Sequence, residues 1–260
     1  MLFSLVTSEL FPGLYGQELR TALKGYADKG AKSLGYDRAR KEMYGYVYND
    51  PKDQAVYCVY TGFRMPCKYD SMNTKCNSAG DLNCEHTVPQ SFFNEAEPMK
   101  SDMHHLRGAW AIVNSGRWHY PFGTVAEESK IIWYGNNKKK VTTKPSDPEN
   151  WSTCDGMGYG STSNEGMFEP REAFKGDLAR ATAYFYIRYP TQAGPITKLW
   201  PNIDDMIDWD INHASTDLQH AQYLRVVEVQ GNKNPFQEEQ GLTARAYCDL
   251  SVKYPCSKFQ

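Results

Sequence analysis

Four of the six histidines, His86, His104, His105 and His119, fall between positions 86 and 119. The same window holds Asp102, Arg107, Asn114 and Arg117, and Glu85 immediately precedes it. Such groups are costly to bury unless they are paired. Any fold that accepts this stretch must therefore bring imidazole, carboxylate, amide and guanidinium groups together. That density is unusual for a core segment and marks the stretch as the place to look for chemistry.

Adjacent side chains on a strand point to opposite faces, but at a strand end or in a loop they can flank one space. Glu85-His86 placed there would offer a hard carboxylate ligand and an imidazole able to take a proton from water; the bland alternative is a surface dipeptide. Asn114 closes the apolar run Trp110-Ala111-Ile112-Val113. Its amide oxygen is either a neutral hard ligand or a helix-end cap. One carboxylate and one amide suit Mg²⁺, which keeps several waters. Zinc prefers more His or Cys. Arg117 is a phosphate-binding guanidinium or a surface ion pair. His104-His105 could be metal ligands, but adjacent residues rarely converge on one ion, and neither H-E-x-x-H nor H-x-x-E-H is present. A structural role, hydrogen-bonding the backbone of the site, is favoured.

Elsewhere the pattern predicts a mixed fold. Leu19, Ala22, Leu23 and Tyr26 form a helical stripe ended by Gly30 and Gly35. Residues 54–63 read as a strand, and 64–84 as a Cys-, Asn- and Ser-rich stapled loop. Residues 130–134 and 141–143 flank Gly135-Asn136-Asn137 as a hairpin; 145–166 reads as a long loop. Late helices are expected from about 170 to 190, with Leu178, Ala181 and Phe185 as inner face, and from 215 to 231, containing Leu218, Ala221 and Leu224 and stopped by Gly231-Asn232. No linker divides the chain. The expectation is one α+β domain over residues 1–260, with helices around a small sheet.

Composition sets the outer limits. The chain has 260 residues, and a chain this long buries roughly 70–75% of its unfolded surface, so it needs no metal or disulfide merely to fold. Aromatic residues at 13% exclude disorder as the main reading. The net charge of -2 gives no global basic signature, although a local basic groove can sit on a neutral protein. No apolar run is long enough to span a membrane. The start, Met1 to Val6, lacks the features of a signal peptide, so an exported protein would have had its signal removed. Seven cysteines without C-x₂-C pairs point to two or three disulfides in an exported protein, with at least one thiol left over. Cys248–Cys256 is the easiest local pair.

Taken in order, several blocks resemble the bacterial endonuclease I family of ββα-metal, or His-Me finger, nucleases. Cys84-Glu85-His86-Thr87-Val88-Pro89-Gln90-Ser91-Phe92 resembles its EHVxPQS signature, and Ser101-Asp102-Met103-His104-His105-Leu106 its D-x-H-H-L block. Val113-Asn114-Ser115-Gly116-Arg117 with Tyr120-Pro121-Phe122-Gly123 resembles VNxxR…YPFG. Phe168-Glu169-Pro170, Lys175 to Arg180 (KGDLAR) and Gly231 to Phe236 (GNKNPF) follow in the family's order. The resemblance runs from about 84 to 236; the helical N-terminal part carries no motif.

The resemblance implies an α+β fold with a ββα-metal core at about 80–125. It implies His86 as general base, its other ring nitrogen held by a carbonyl oxygen. Glu85 and Asn114 would hold one Mg²⁺, with Mn²⁺ or Ca²⁺ as substitutes, and Arg117 would neutralise charge on the phosphate. His119, Lys175 and Arg180 would bind substrate, and Asp102, His104 and His105 would support the site. Lys138-Lys139-Lys140 would either add to a basic groove or form a solvated hairpin tip. The implied activity is sequence-nonspecific hydrolysis of DNA, with RNA as an open second substrate, to 5′-phosphate and 3′-hydroxyl ends. A secreted or periplasmic monomer without membrane contact is expected. Two positions depart from the family: His119 stands where a second Asn is usual, and Arg107-Gly108-Ala109-Trp110 where relatives carry Phe-Pro. They bear on substrate preference and pH optimum, and His119 with the odd cysteine leaves open a catalytically silent nucleic-acid- or partner-binding protein on the same scaffold. A carbohydrate-binding module, suggested only by 18 Tyr and 6 Trp, is the weakest alternative.

Overall fold

The N-terminal stripe folds as expected. Helix α1, Gly16–Asp28, buries Leu19, Leu23 and Ala27. Helix α2, Tyr36–Glu42, follows Gly35 and runs into a wider turn over Met43–Val47. These observations come from a computed structural model that describes residues 9–70, 81–126, 130–156 and 165–260. The first residues, Met1 to Val6, and Cys76 lie outside the described residues, as do parts of the two loops expected at 64–84 and 145–166.

Three short antiparallel strands come next: β1, Asn49–Asp50, β2, Ala55–Tyr57, and β3, Arg64–Pro66. The strand expected over 54–63 stops at Tyr57. The chain turns back there, the Cys58 amide donating to the Phe63 carbonyl at 2.8 Å. Half of the β-branched and aromatic run thus lies in a turn rather than a strand.

The central unit is β4, Leu82–His86, paired antiparallel with β5, Leu106–Trp110, and followed directly by helix α3, Ala111–Arg117. This is a β-β-α succession, with residues 87–105 as the long connection. The register sets Glu85 opposite Arg107 and His86 opposite Leu106. Beyond it a four-stranded sheet runs in the order β7-β6-β8-β9, from β6, Ile132–Gly135, β7, Lys139–Val141, β8, Ser152–Cys154, and β9, Phe168–Glu169. The β6–β7 hairpin matches the sequence reading. Strand β8 falls inside the stretch read as loop. Helix α3 lies close on this sheet because residue 116 is glycine: a Cβ there would stand 2.2 Å from the Tyr134 hydroxyl oxygen.

Five helices complete the chain. Helix α4, Glu172–Arg188, is buried along almost its whole length, Leu178, Ala181 and Phe185 included. Helix α5, Ile203–Asn212, has no counterpart among the sequence expectations, because four aspartates interrupt its apolar stripe. Asn202 caps it by accepting from the Asp204 amide. Helix α6, Asp217–Gln230, ends on Gly231 at φ +88 as expected. It buries Tyr223, Val226 and Gln230, and leaves Leu218 and Leu224 about half exposed. Helices α7, Pro235–Glu238, and α8, Leu242–Ala246, follow. One hydrophobic cluster extends from Leu19 on α1 to Tyr247 after α8.

The fold is therefore α+β, with small antiparallel sheets among helices. Cys248 and Cys256 are joined as a disulfide, and Cys67 is also disulfide-bonded. Cys58, Cys84 and Cys154 are free and buried. Among the described residues, no helix is long and apolar enough to cross a membrane.

Candidate active site

The end of β4, the start of its connection and α3 enclose a cleft of about 410 Å³. Glu85, His86, Gln90, Asn114 and His119 line it, with Tyr36 from α2 as a further wall. Glu85 and His86 share this space because His86 is the last residue of β4, where strict alternation of faces ends. Asn114 reaches it from α3.

Each group is held by specific partners. The Tyr60 hydroxyl donates to Glu85 Oε1 at 2.7 Å, and Arg117 Nη1 stands 3.4 Å from the same oxygen. Among the described residues nothing donates to Glu85 Oε2. Burial pushes the Glu85 carboxyl upward, and Arg117 and Tyr60 oppose that. His86 Nε2 lies 3.0 Å from the Lys100 carbonyl oxygen. A carbonyl can only accept, so Nε2 carries the hydrogen and Nδ1 keeps its lone pair. Burial, with His105 adding to it, holds the His86 pKa well below the usual imidazole value, against the backbone groups of Lys100 and Cys84, which favour the charged ring. At neutral pH the ring is uncharged, as a proton acceptor must be.

Arg117 also lines the cleft, as expected of a site residue, but it is deeply buried. Its side chain is 1% exposed. Nη1 donates to the His86 and Trp118 carbonyls at 3.3 and 3.2 Å, and Nη2 to the Thr87 carbonyl at 2.8 Å. Its Nε is buried without a partner among the described residues. Arg117 thus lines the cleft while its guanidinium ties down the backbone that carries His86.

Asp102 is a buried hub. Oδ2 accepts from the Tyr184 hydroxyl at 2.9 Å, the Tyr189 hydroxyl at 2.9 Å and Arg188 Nη1 at 2.5 Å. Oδ1 accepts from Gln230 Nε2 at 2.8 Å and the His104 amide at 3.1 Å. This pins the Lys100–His105 segment to α4 and α6. His104 Nε2 meets the Asn232 carbonyl at 3.0 Å and His105 Nε2 the Met99 carbonyl at 2.7 Å. Neither histidine lines the cleft, and the two reach different carbonyls. Arg107, opposite Glu85, turns to Asp177 on α4 at 2.7 Å.

The structure does not bring Lys175 and Arg180 to the cleft. Helix α4 is central, so both are buried and ion-paired: Lys175 with Glu169 at 2.7 Å and Glu172, Arg180 with Asp210 at 3.1 Å. Lys138, Lys139 and Lys140 are exposed on the hairpin, with Lys138 paired to Asp81 at 2.7 Å. His119 does reach the cleft, its ring 3.7 Å from that of Trp118. Tyr36 and Tyr60 belong to the site but to none of the motif blocks. Tyr60 looks like one more core aromatic in its run, and Tyr36 has only Gly35 before it as a signal.

The donor set can be judged for a metal. Glu85 and Asn114 supply one carboxylate and one neutral amide, both oxygen donors. Among the described residues no group of three or more His, Cys, Asp or Glu could hold an ion. That excludes a zinc-like cage there and fits a hard divalent cation that keeps most of its waters.

A family model described as Endonuclease I matches residues 15–240. The chain belongs to the endonuclease I family. The match takes in α1 and α2, upstream of the motif blocks, so Tyr36 lies within the family region. No curated protein matches the chain. As a member of the endonuclease I family it is a nuclease, and nucleic acid is its substrate.

Proposed function

We propose that this endonuclease I chain is a divalent-metal-dependent, sequence-nonspecific endonuclease of DNA that uses His86 as general base. The observation that carries the reading is the meeting of Glu85, Asn114 and a neutral His86 on one cleft. Glu85 and Asn114 would hold one Mg²⁺, or Mn²⁺ or Ca²⁺ in its place. Bound there, such an ion offsets negative charge on the scissile phosphate and the leaving oxygen.

The chain's own residues do the rest. His86 Nδ1 takes a proton from the attacking water, while Nε2–H on the Lys100 carbonyl keeps the tautomer and aims the ring. Attack at phosphorus breaks the bond to the 3′ oxygen, which takes up a proton from solvent, leaving a 5′-phosphate and a 3′-hydroxyl. Arg117, itself on the cleft, offsets the Glu85 charge and clamps the His86–Thr87 backbone. Gln90 and His119 line the same cleft and would meet phosphate oxygens there. Asp102, His104 and His105 support the loop that supplies the Lys100 carbonyl. RNA, whose phosphates are the same, is a second substrate to be tested. The disulfides favour an exported protein.

End-group analysis tests the chemistry. Fragments of duplex DNA made in Mg²⁺ are expected to be rejoined by a ligase without prior treatment, which requires 5′-phosphate and 3′-hydroxyl ends. Fragments that need removal of a 3′-phosphate first would contradict the proposed bond cleavage.

A further inference from the structure

A single hydrogen bond does not fix an imidazole. With Nε2–H on the Lys100 carbonyl, the His86 ring can still swing about that bond unless its faces are packed. Two rings pack it: His105, at 5.5 Å between centroids, and Tyr36, also at 5.5 Å. His105 is immobilised by the Met99 carbonyl and the ring of Phe185 at 4.7 Å. Tyr36 is held as firmly from outside the β-β-α unit. The Arg40 guanidinium and the Lys100 ammonium lie over its ring at 5.4 and 5.1 Å. Gly35 delivers it: at φ +73 this residue is in the left-handed region, where a side chain is strained, and a Cβ there would meet no other atom. Glycine is required here for backbone conformation alone.

From this packing we infer that Tyr36 is a positioning residue for the general base, holding the His86 ring in the plane from which Nδ1 takes a proton. The inference rests on the nuclease reading above. Tyr36 acts through His86, so its loss should fall on kcat and leave KM nearly alone. Misplacing a reacting group by about 1 Å can cost on the order of 100-fold.

The experiment measures plasmid nicking in Mg²⁺ for wild type, Tyr36→Phe, Tyr36→Leu and Tyr36→Ala, each also in a His86→Ala background. Tyr36→Ala is expected to lose roughly 10- to 100-fold in kcat, with KM within about threefold. Tyr36→Phe keeps the ring and should recover to within about threefold of wild type. Tyr36→Leu keeps apolar volume without a flat face and should lose at least about fivefold; it decides the matter if the alanine variant does not fold. On His86→Ala, Tyr36→Ala should change the residual rate by less than about twofold, because its target is already gone. A purely structural tyrosine would lower both backgrounds alike, and that result overturns the inference. So does a kcat within about twofold of wild type for both Tyr36→Ala and Tyr36→Leu. Wild-type cutting in the same assay reports on the nuclease reading separately: its absence sinks both, whereas normal cutting with an indifferent Tyr36 sinks this inference alone.

Discussion

His86→Ala is expected to cut DNA roughly 100- to 10,000-fold more slowly than wild type, the range that a positioned general base supplies. Its affinity for DNA in EDTA should stay nearly the same. His86 is 4% exposed and its ring touches Tyr36, His105 and the Lys100 carbonyl, so truncation removes little that could meet a long phosphate backbone. The split between rate and binding is the informative part. A variant that binds and does not cut places His86 at the chemical step. A variant that cuts at the normal rate refutes the assignment of the base, whatever the family resemblance. Loss of binding together with cutting would make His86 part of the scaffold instead.

The second large effect is on stability, between about pH 6.5 and 4. His104 and His105 are fully buried, and burial lowers each imidazole from 6.5 to about 4. Both pKa values are depressed in the folded chain, so below pH 6.5 the unfolded chain takes up protons that the folded one refuses. Stability is complete above pH 6.5 and is lost as the pH falls toward 4. A shift of that size is worth on the order of 3 kcal/mol per histidine. Two such groups can consume a large part of an ordinary domain's stability. Asp102 works in the same direction at lower pH. Burial would raise its carboxyl, but Arg188 outweighs that and holds it below the usual carboxylate range. Urea unfolding at pH 7.0, 5.5 and 4.5 should therefore show a steep fall in unfolding free energy, and His104→Gln with His105→Gln should flatten it. Equal stability of the parent at pH 7.0 and 4.5 would contradict the buried, neutral state of these rings.

What the sequence made legible follows from how local each feature is. Residue type singles out Glu85, His86 and Asn114 but leaves a surface dipeptide and a helix cap open; only the ordered family blocks assign them roles. The β6–β7 hairpin and the long helices α4 and α6 carry their own periodicity and stop signals, whereas the β-β-α unit is implied by the family resemblance alone. Lys175 and Arg180 show the limit of that reasoning. A long basic side chain on a helix can point to solvent or inward, and the outcome depends on what packs around the helix. Helix α4 is surrounded, so Lys175 and Arg180 turn to Glu169, Glu172 and Asp210 rather than to a groove. Arg117 is covered by Phe122 and faces backbone carbonyls. Tyr36 was illegible for another reason: nothing in residues 35–42 marks the position where one ring meets a histidine fifty positions later. The two-residue strand β9 and the aspartate-rich α5 carry too little pattern to be read alone.

The claim at the centre of this account is that the cleft formed by Glu85, His86 and Asn114 cuts phosphodiester bonds with the help of a divalent ion. The most direct measurement is conversion of supercoiled plasmid by the folded, oxidised protein at low salt, in Mg²⁺ and in EDTA. Nicking followed by degradation in Mg²⁺, and intact supercoil in EDTA, is the expected result. No cutting with Mg²⁺, Mn²⁺ or Ca²⁺, or cutting that persists unchanged in EDTA, would contradict it.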